Sequence, residues 1–229
     1  MGWSLAIETS QGAGGLALRD AGGTVHSVAL TSRSGLDDQL MPQLNQLAVA
    51  ADCAPADLEL VGVSIGPGGF TGLRIATATA QMLAEATGCV LVQVPTAVVC
   101  VQASGINAGR VGVALASKQD TCWLTVVDAA TMTISAPAGL ADAHAAAEQL
   151  QGCTTLLADE HLPGPITDAA QALGLEFREP VCCAEACLWL TEALYAAHEH
   201  ISPECLVPLY PRAPEAVALF DAREKAPKG

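Results

Sequence analysis

The chain has 229 residues, 51 % of them hydrophobic and only 15 % charged, with 10 basic against 24 acidic side chains and a formal charge of −14. That is enough apolar material for one large domain or two small ones, so a disordered chain is excluded. Acidity on this scale opposes autonomous binding to nucleic-acid phosphates and docking on an anionic membrane, and no apolar run reaches the ~20 residues of a membrane helix.

Ser4 to Glu8 reads as a short apolar strand, with Gly12, Gly14 and Gly15 as the turn after it. Leu16–Arg19 and Thr24–Leu30 follow as strands around the turn Asp20-Ala21-Gly22-Gly23. The period then becomes helical from Asp38, with apolar Leu40, Met41, Leu44, Leu47, Ala48 and Ala51, Asp37 or Asp38 as N-cap, and Pro42 in the opening turn. A strand at Leu60–Ile65 enters a glycine-rich loop. A helix from Phe70 to Thr87 is stopped by Gly88, Cys89–Val94 is a strand, and Pro95-Thr96 opens a short helix.

The second half repeats the order. Strands are expected at Val111–Ala116, Trp123–Val127 and Thr131–Ser135, a helix at Asp142–Leu150, a strand at Thr154–Ala158, and helices at Thr167–Leu173 and Ala184–His200. Two tandem β-β-β-α-β-α units define an α/β chain of the two-lobed fold of actin, Hsp70 and the sugar kinases (ASKHA), with lobes at 1–109 and 110–212 and a C-terminal tail at 213–229. The tail ends Arg223-Glu224-Lys225-Ala226-Pro227-Lys228-Gly229, with a local positive excess.

The stretch Gly66-Pro67-Gly68-Gly69-Phe70-Thr71-Gly72-Leu73-Arg74 is the most specific feature. Glycines at a helix N-terminus can present N–H groups to an anion, which makes Gly66, Gly68, Gly69, Thr71 and Gly72 a candidate anion-binding set. They can equally let the helix approach the sheet closely. No Lys-Ser or Lys-Thr follows, so this is not a Walker loop.

This stretch resembles the Gly-Pro-Gly-Ser-Phe-Thr-Gly-x-Arg signature of the bacterial TsaB (YeaZ) family, with Gly69 in place of serine. Ile7-Glu8-Thr9-Ser10 is similar to that family's opening Asp-Thr-Ser, Leu40-Met41-Pro42 to its Leu-Leu-Pro, and Pro208-Leu209-Tyr210-Pro211-Arg212 to its Pro-x-Tyr-x-Arg. Leu36 stands where a histidine is usual, and Ala116-Ser117-Lys118 replaces Asp-Ala-Arg. Between Arg110 and Cys205 only the element order carries the likeness. The resemblance implies a cytoplasmic, non-catalytic subunit for making threonylcarbamoyladenosine next to the tRNA anticodon. It implies pairing with a TsaD-like catalytic subunit, joined by a TsaE-like ATPase, with ATP and metal on those partners and none bound by this chain alone. tRNA would be met only through the complex; self-pairing of the isolated chain stays open, and no membrane is involved.

Small residues recur every fourth position at Gly72, Ala76, Ala80 and Ala84, a ridge that lets another helix come close. Spacing alone leaves that neighbour either internal or a partner. The resemblance implies a partner interface of this ridge with Leu40, Leu44 and Leu47, while Ile75, Met82 and Ala86 pack on the chain's own sheet. On that reading Ala80→Trp abolishes pairing and leaves the monomer folded.

The alternative is an autonomous ATPase or small-molecule kinase. Glu8 occupies the position where such enzymes organise Mg²⁺, with Asp120 and Asp128 as second-lobe carboxylates, but the glycine of an Asp-x-Gly hairpin is missing near Ala116. A peptidase is disfavoured: His26, His144, His161, His198 and His200 include no pair four apart, and Ser202 stands where His198-Glu199-His200 would need its partner. Those last residues read as a solvated helix end. The nine cysteines, Cys182, Cys183 and Cys187 the closest cluster, read as reduced and mostly packed, and Trp3, Trp123 and Trp189 as core or partly buried.

Overall fold

The computed structural model describes residues 2–12, 14–30 and 36–212; the tail lies outside them. The first sheet is built from β1 (Trp3–Glu8), β2 (Gly14–Arg19), β3 (Val25–Leu30), β4 (Leu58–Ser64) and β5 (Val90–Val94), in the order β3-β2-β1-β4-β5. β1 and β2, and β2 and β3, pair antiparallel; β4 and β5 join β1 in parallel, with Ile7 opposite Val63. The second sheet comprises β6 (Arg110–Lys118), β7 (Thr121–Asp128), β8 (Thr133–Ala141), β9 (Cys153–Ala158) and β10 (Glu176–Arg178). Its order, β8-β7-β6-β9-β10, repeats the first sheet strand for strand. The duplicated two-lobed fold expected from the element order is therefore present.

Helices α1 (Leu36–Ala50), α2 (Phe70–Thr87) and α3 (Thr96–Ser104) belong to the first lobe, α4 (Ala143–Gln149) and α5 (Gly164–Ala172) to the second. The alternation of side chains along the strands divides the interior. Leu5, Ile7, Leu16 and Leu18 face α1 and α2, whereas Ala6 and Ala17 face the opposite side. In the second lobe Ala114 joins Leu124, Leu150 and Ile166 beneath α4 and α5, while Val113 and Leu115 turn the other way. Those other sides share one core, filled by α3 and by α6 (Ala184–Ala196).

Several local expectations change. Asp37 and Asp38 lie inside the first turn of α1 rather than at its cap. Acidic residues are favoured at either place, so composition does not separate the two. Pro42 consequently sits beyond the first turn, where its missing N–H forfeits a bond to the carbonyl of Asp38. β8 starts at Thr133, not Thr131, because the Asp128 carboxylate accepts from the N–H groups of Ala130 and Thr131 and holds them in a turn. α6 ends at Ala196, well short of His200; His198 has φ 64°, which a right-handed helix does not admit.

The larger correction concerns the boundary at 110–212. α6 follows the second sheet in sequence yet packs on the first, against β1, β2, β4 and β5. Arg19 on β2 anchors it through an ion pair of 2.8 Å to Glu192. The chain thus returns to lobe I. Residues 203–209 stay there as a strap: Gln81 on α2 donates to the carbonyls of Pro203 and Leu206, and the buried Leu206 joins the α1/α2 core.

Candidate functional site

β1 delivers its last residue, Glu8, into the interior, where one carboxylate oxygen accepts from the backbone N–H (2.7 Å) and the hydroxyl of Ser10. Its other oxygen has no partner among the described residues. Burial pushes the carboxyl above its ordinary 4.5, against the opposing hydrogen bonds of Ser10. Among the described residues, no three His, Cys, Asp or Glu side chains gather as a metal site would need.

The glycine-rich loop lies directly over this turn. Gly69 N–H donates to the Ser10 carbonyl (2.7 Å), Gly66 N–H to the Thr96 hydroxyl (3.0 Å), and Thr96 N–H to the Gly66 carbonyl (3.1 Å). The Thr9 hydroxyl, just past β1, donates to the Gly72 carbonyl (2.8 Å), and Leu209 N–H in the strap donates to the Ile65 carbonyl (2.7 Å). A Cβ on Gly68 would stand 1.9 Å from the Ser10 carbonyl oxygen, so only glycine lets the loop close here. Of the candidate anion-binding residues, Gly66 and Gly69 thus donate their N–H groups within the protein, Gly72 is buried, and Thr71 is exposed.

α2 lies the opposite way round from the expected orientation. Ala76, Ala80 and Ala84 are buried with Leu40 and Leu47 in lobe I's own core, with Gly72 buried beside them and Leu44 packed against that core. The ridge of small residues lets α2 come close to α1 and to its own sheet. Met82 and Ala86 are exposed instead, while Ile75 is half-buried and packs against that core as expected. The spacing did indicate a close helix contact; what it could not indicate was whose helix makes it.

The outward face of lobe I exposes large apolar side chains among polar ones such as Asn45, Gln46 and Glu85. Val49 is 72 % exposed, Met82 51 % and Met41 43 %, and an apolar cavity of about 170 Å³ opens between α1 and the segment 53–58, lined by Met41, Leu44, Ala48, Pro55 and Leu83. Large apolar side chains exposed beside an apolar cavity are the usual material of a contact surface. At the N-terminus of α2 the Arg74 guanidinium sits 5.0 Å over the Phe70 ring, which in turn lies 5.2 Å from Tyr210. Sequence reading missed that stack, although Tyr210 and Arg74 both belong to motifs it had singled out.

The second-lobe carboxylates do not converge. Asp120 is exposed in the β6–β7 turn, and Asp128 caps the β7–β8 turn at the opposite end of β7. What occupies the β6–β7 hairpin is Arg212, donating to the Ala116 carbonyl and the Thr121 hydroxyl, 2.7 Å each. His26 faces Asp20 and His144 faces Glu148; His200 lines a cavity of about 520 Å³ between β5, α3, α6 and the β7–β8 turn. Trp3 and Trp123 are half-buried, whereas Trp189 on α6 is exposed. No helix among the described residues is long and apolar enough to cross a membrane.

Strand order, paired lobes and a glycine turn above a buried carboxylate at the end of the first strand define a protein of the two-lobed actin-like class. The sequence profile of the family described as TsaD, tRNA N6-adenosine threonylcarbamoyltransferase, matches residues 21–193, and the chain belongs to that family. YeaZ from Pseudomonas aeruginosa superposes with a TM-score of 0.71 at 21 % identity, covering 92 % of this chain and 100 % of that one. A Pseudomonas aeruginosa protein described as similar to peptidase YEAZ gives 0.70 at 22 % identity, over 93 % and 100 %. No curated protein matches significantly. The resemblance to TsaB (YeaZ) proteins read from the glycine loop is thereby borne out.

Proposed function

We propose that this chain is the non-catalytic partner subunit of a tRNA threonylcarbamoylation complex. It pairs through the outward face of α1 and α2 with a TsaD-like catalytic subunit, and the pair engages a TsaE-like ATPase. ATP, metal and tRNA are handled by the partners, and this chain supplies a rigid docking surface.

The observation that carries the reading is the set of large apolar side chains exposed on α1 and α2, Val49, Met82 and Met41, with the apolar cavity beside Met41. The charge of −14 supports the division of labour, since a basic surface for tRNA has to come from elsewhere. The interface named from the sequence is replaced by its reverse side: Ala76, Ala80 and Ala84 hold the helix in place, and their neighbours on the opposite side meet the partner.

The test is co-elution and calorimetric titration of the purified chain with a TsaD-type subunit. Val49→Asp and Met82→Asp should each weaken pairing by about 10- to 100-fold, equivalent to ~1.4–2.8 kcal/mol, with unchanged circular dichroism because both side chains are solvent-exposed. Pairing at undiminished affinity in both variants would refute the proposed face. Absence of pairing by the unaltered chain would refute the subunit role itself.

A further inference from the structure

Cys100 is fully buried on α3, the last helix before the chain crosses to lobe II. Cys182 is half-buried in the segment that brings the chain back, between β10 and α6. Their sulfurs are 2.9 Å apart, the one sulfur–sulfur contact among the described residues and about 0.9 Å longer than a covalent S–S bond. The partners are 82 positions apart in sequence, so the contact is made by the fold and not by local spacing. Both side chains belong to the core that the two lobes share.

We propose that Cys100 and Cys182 form a reversible disulfide when the protein meets hydrogen peroxide, and that the bridge fixes the two crossings between the lobes to each other. The whole second sheet lies between these positions, so the bond closes a ring around lobe II at its neck. Cys182, the more accessible thiol, reacts first: its thiolate attacks the O–O bond, becomes a sulfenic acid, and one water leaves after proton transfer. The Cys100 thiol then attacks the Cys182 sulfur, the S–S bond forms, and the hydroxyl departs as a second water. Each sulfur is oxidised by one electron and the peroxide is reduced by two. A dithiol reductant reverses the bond by exchange.

The surroundings make this a slow reaction. Its hydrogen bond with Cys100, burial, and the Cys100 and Glu8 side chains nearby all push the Cys182 thiol up, and the hydrogen bond of Ser10 only partly opposes them. Cys183 is the N-cap residue of α6 and Cys187 is buried one turn further on; among the described thiols the one in contact with Cys100 is Cys182.

The experiment treats the full, reduced chain with hydrogen peroxide, blocks the remaining thiols with N-ethylmaleimide, and maps the peptides by mass spectrometry. The expected product joins the peptides of Cys100 and Cys182, leaving seven of the nine thiols titratable. Its melting temperature should exceed that of the reduced chain by about 5–15 °C, the range for closing a long loop in a chain of this size. Dithiothreitol should restore the starting value. Cys182→Ser should lose both product and shift, and Cys100→Ala should do the same; if the buried variant does not fold, the Cys182 variant decides alone. A bridge through Cys183 or Cys187, or Cys182 oxidised with Cys100 still free, would overturn the pairing. A bridged form that melts no higher than the reduced one would overturn the claim that the bond fixes the crossings.

Discussion

In lobe I the loop from β4 into α2 is held from outside itself, by the Ser10 carbonyl, the Thr96 hydroxyl and the strap at Leu209. In lobe II the loop from β9 into α5, at the same place in the topology, closes on its own residues. The Asp159 carboxylate accepts from His161 N–H and the Asp159 carbonyl from Leu162 N–H. The helices that follow do not share this difference: α2 starts at Gly69 and α5 at Pro163, neither with a side-chain cap. One duplicated topology therefore supports two ways of fixing a loop. The lobe that carries the specific motif is the one whose loop depends on distant partners.

The largest expected effect comes from forcing bulk into the inner face of lobe I. Ala80→Trp should destabilise the monomer by at least about 3 kcal/mol, enough to abolish a cooperative urea transition, because the site is fully enclosed by α1 and the sheet. A folded Ala80→Trp monomer would mean that α2 lies the other way round.

A smaller effect separates the two loops directly. Gly68→Ala should cost about 2–3 kcal/mol by urea denaturation, since the new Cβ meets backbone that cannot move without breaking the Ser10 tie. Gly164→Ala at the start of α5 meets nothing within 4 Å and should stay within about 0.5 kcal/mol of the unaltered chain. Equal costs at both positions would erase the contrast.

The smallest effect is one of slope. Because the Glu8 carboxyl is pushed above 4.5 in the folded chain, the unfolded chain releases this proton first as pH rises. Its contribution to stability is complete below 4.5 and is lost as pH rises through the folded value. The urea midpoint of the unaltered chain should therefore fall relative to Glu8→Gln across that interval, and a constant difference from pH 4.5 upward would exclude a raised Glu8. No matching group exists in lobe II, where β6 ends Leu115-Ala116-Ser117-Lys118.

Much of this was legible in the residues. α2 runs from Phe70 to Thr87 as its period dictates, with Gly88 in the left-handed conformation at φ 77° as the stop, and the repeated element order announced the two lobes. Three things were not legible, each for a physical reason. β10 is three exposed residues with no burial alternation to read. The return of α6 to lobe I depends on which sheet offers an open face, and a helix period does not encode that. α2 has apolar residues on both sides, so periodicity fixed its ridge but not which side turned inward. The loop itself was found from its glycines, while its anchors, Ser10, Thr96 and Leu209, carry no signal of spacing.

The covering of lobe I by α6 and the strap has a consequence for synthesis. The first five strands leave the ribosome by Val94, but the helix that closes one face of their sheet starts 90 residues later, at Ala184, and the Leu206 that completes the other core comes 112 residues later. At ordinary elongation speeds the nascent sheet waits on the order of ten seconds with apolar β4 and β5 open on one side. Lobe II is translated within that interval and can settle first, so the amino-terminal half of this protein is finished last.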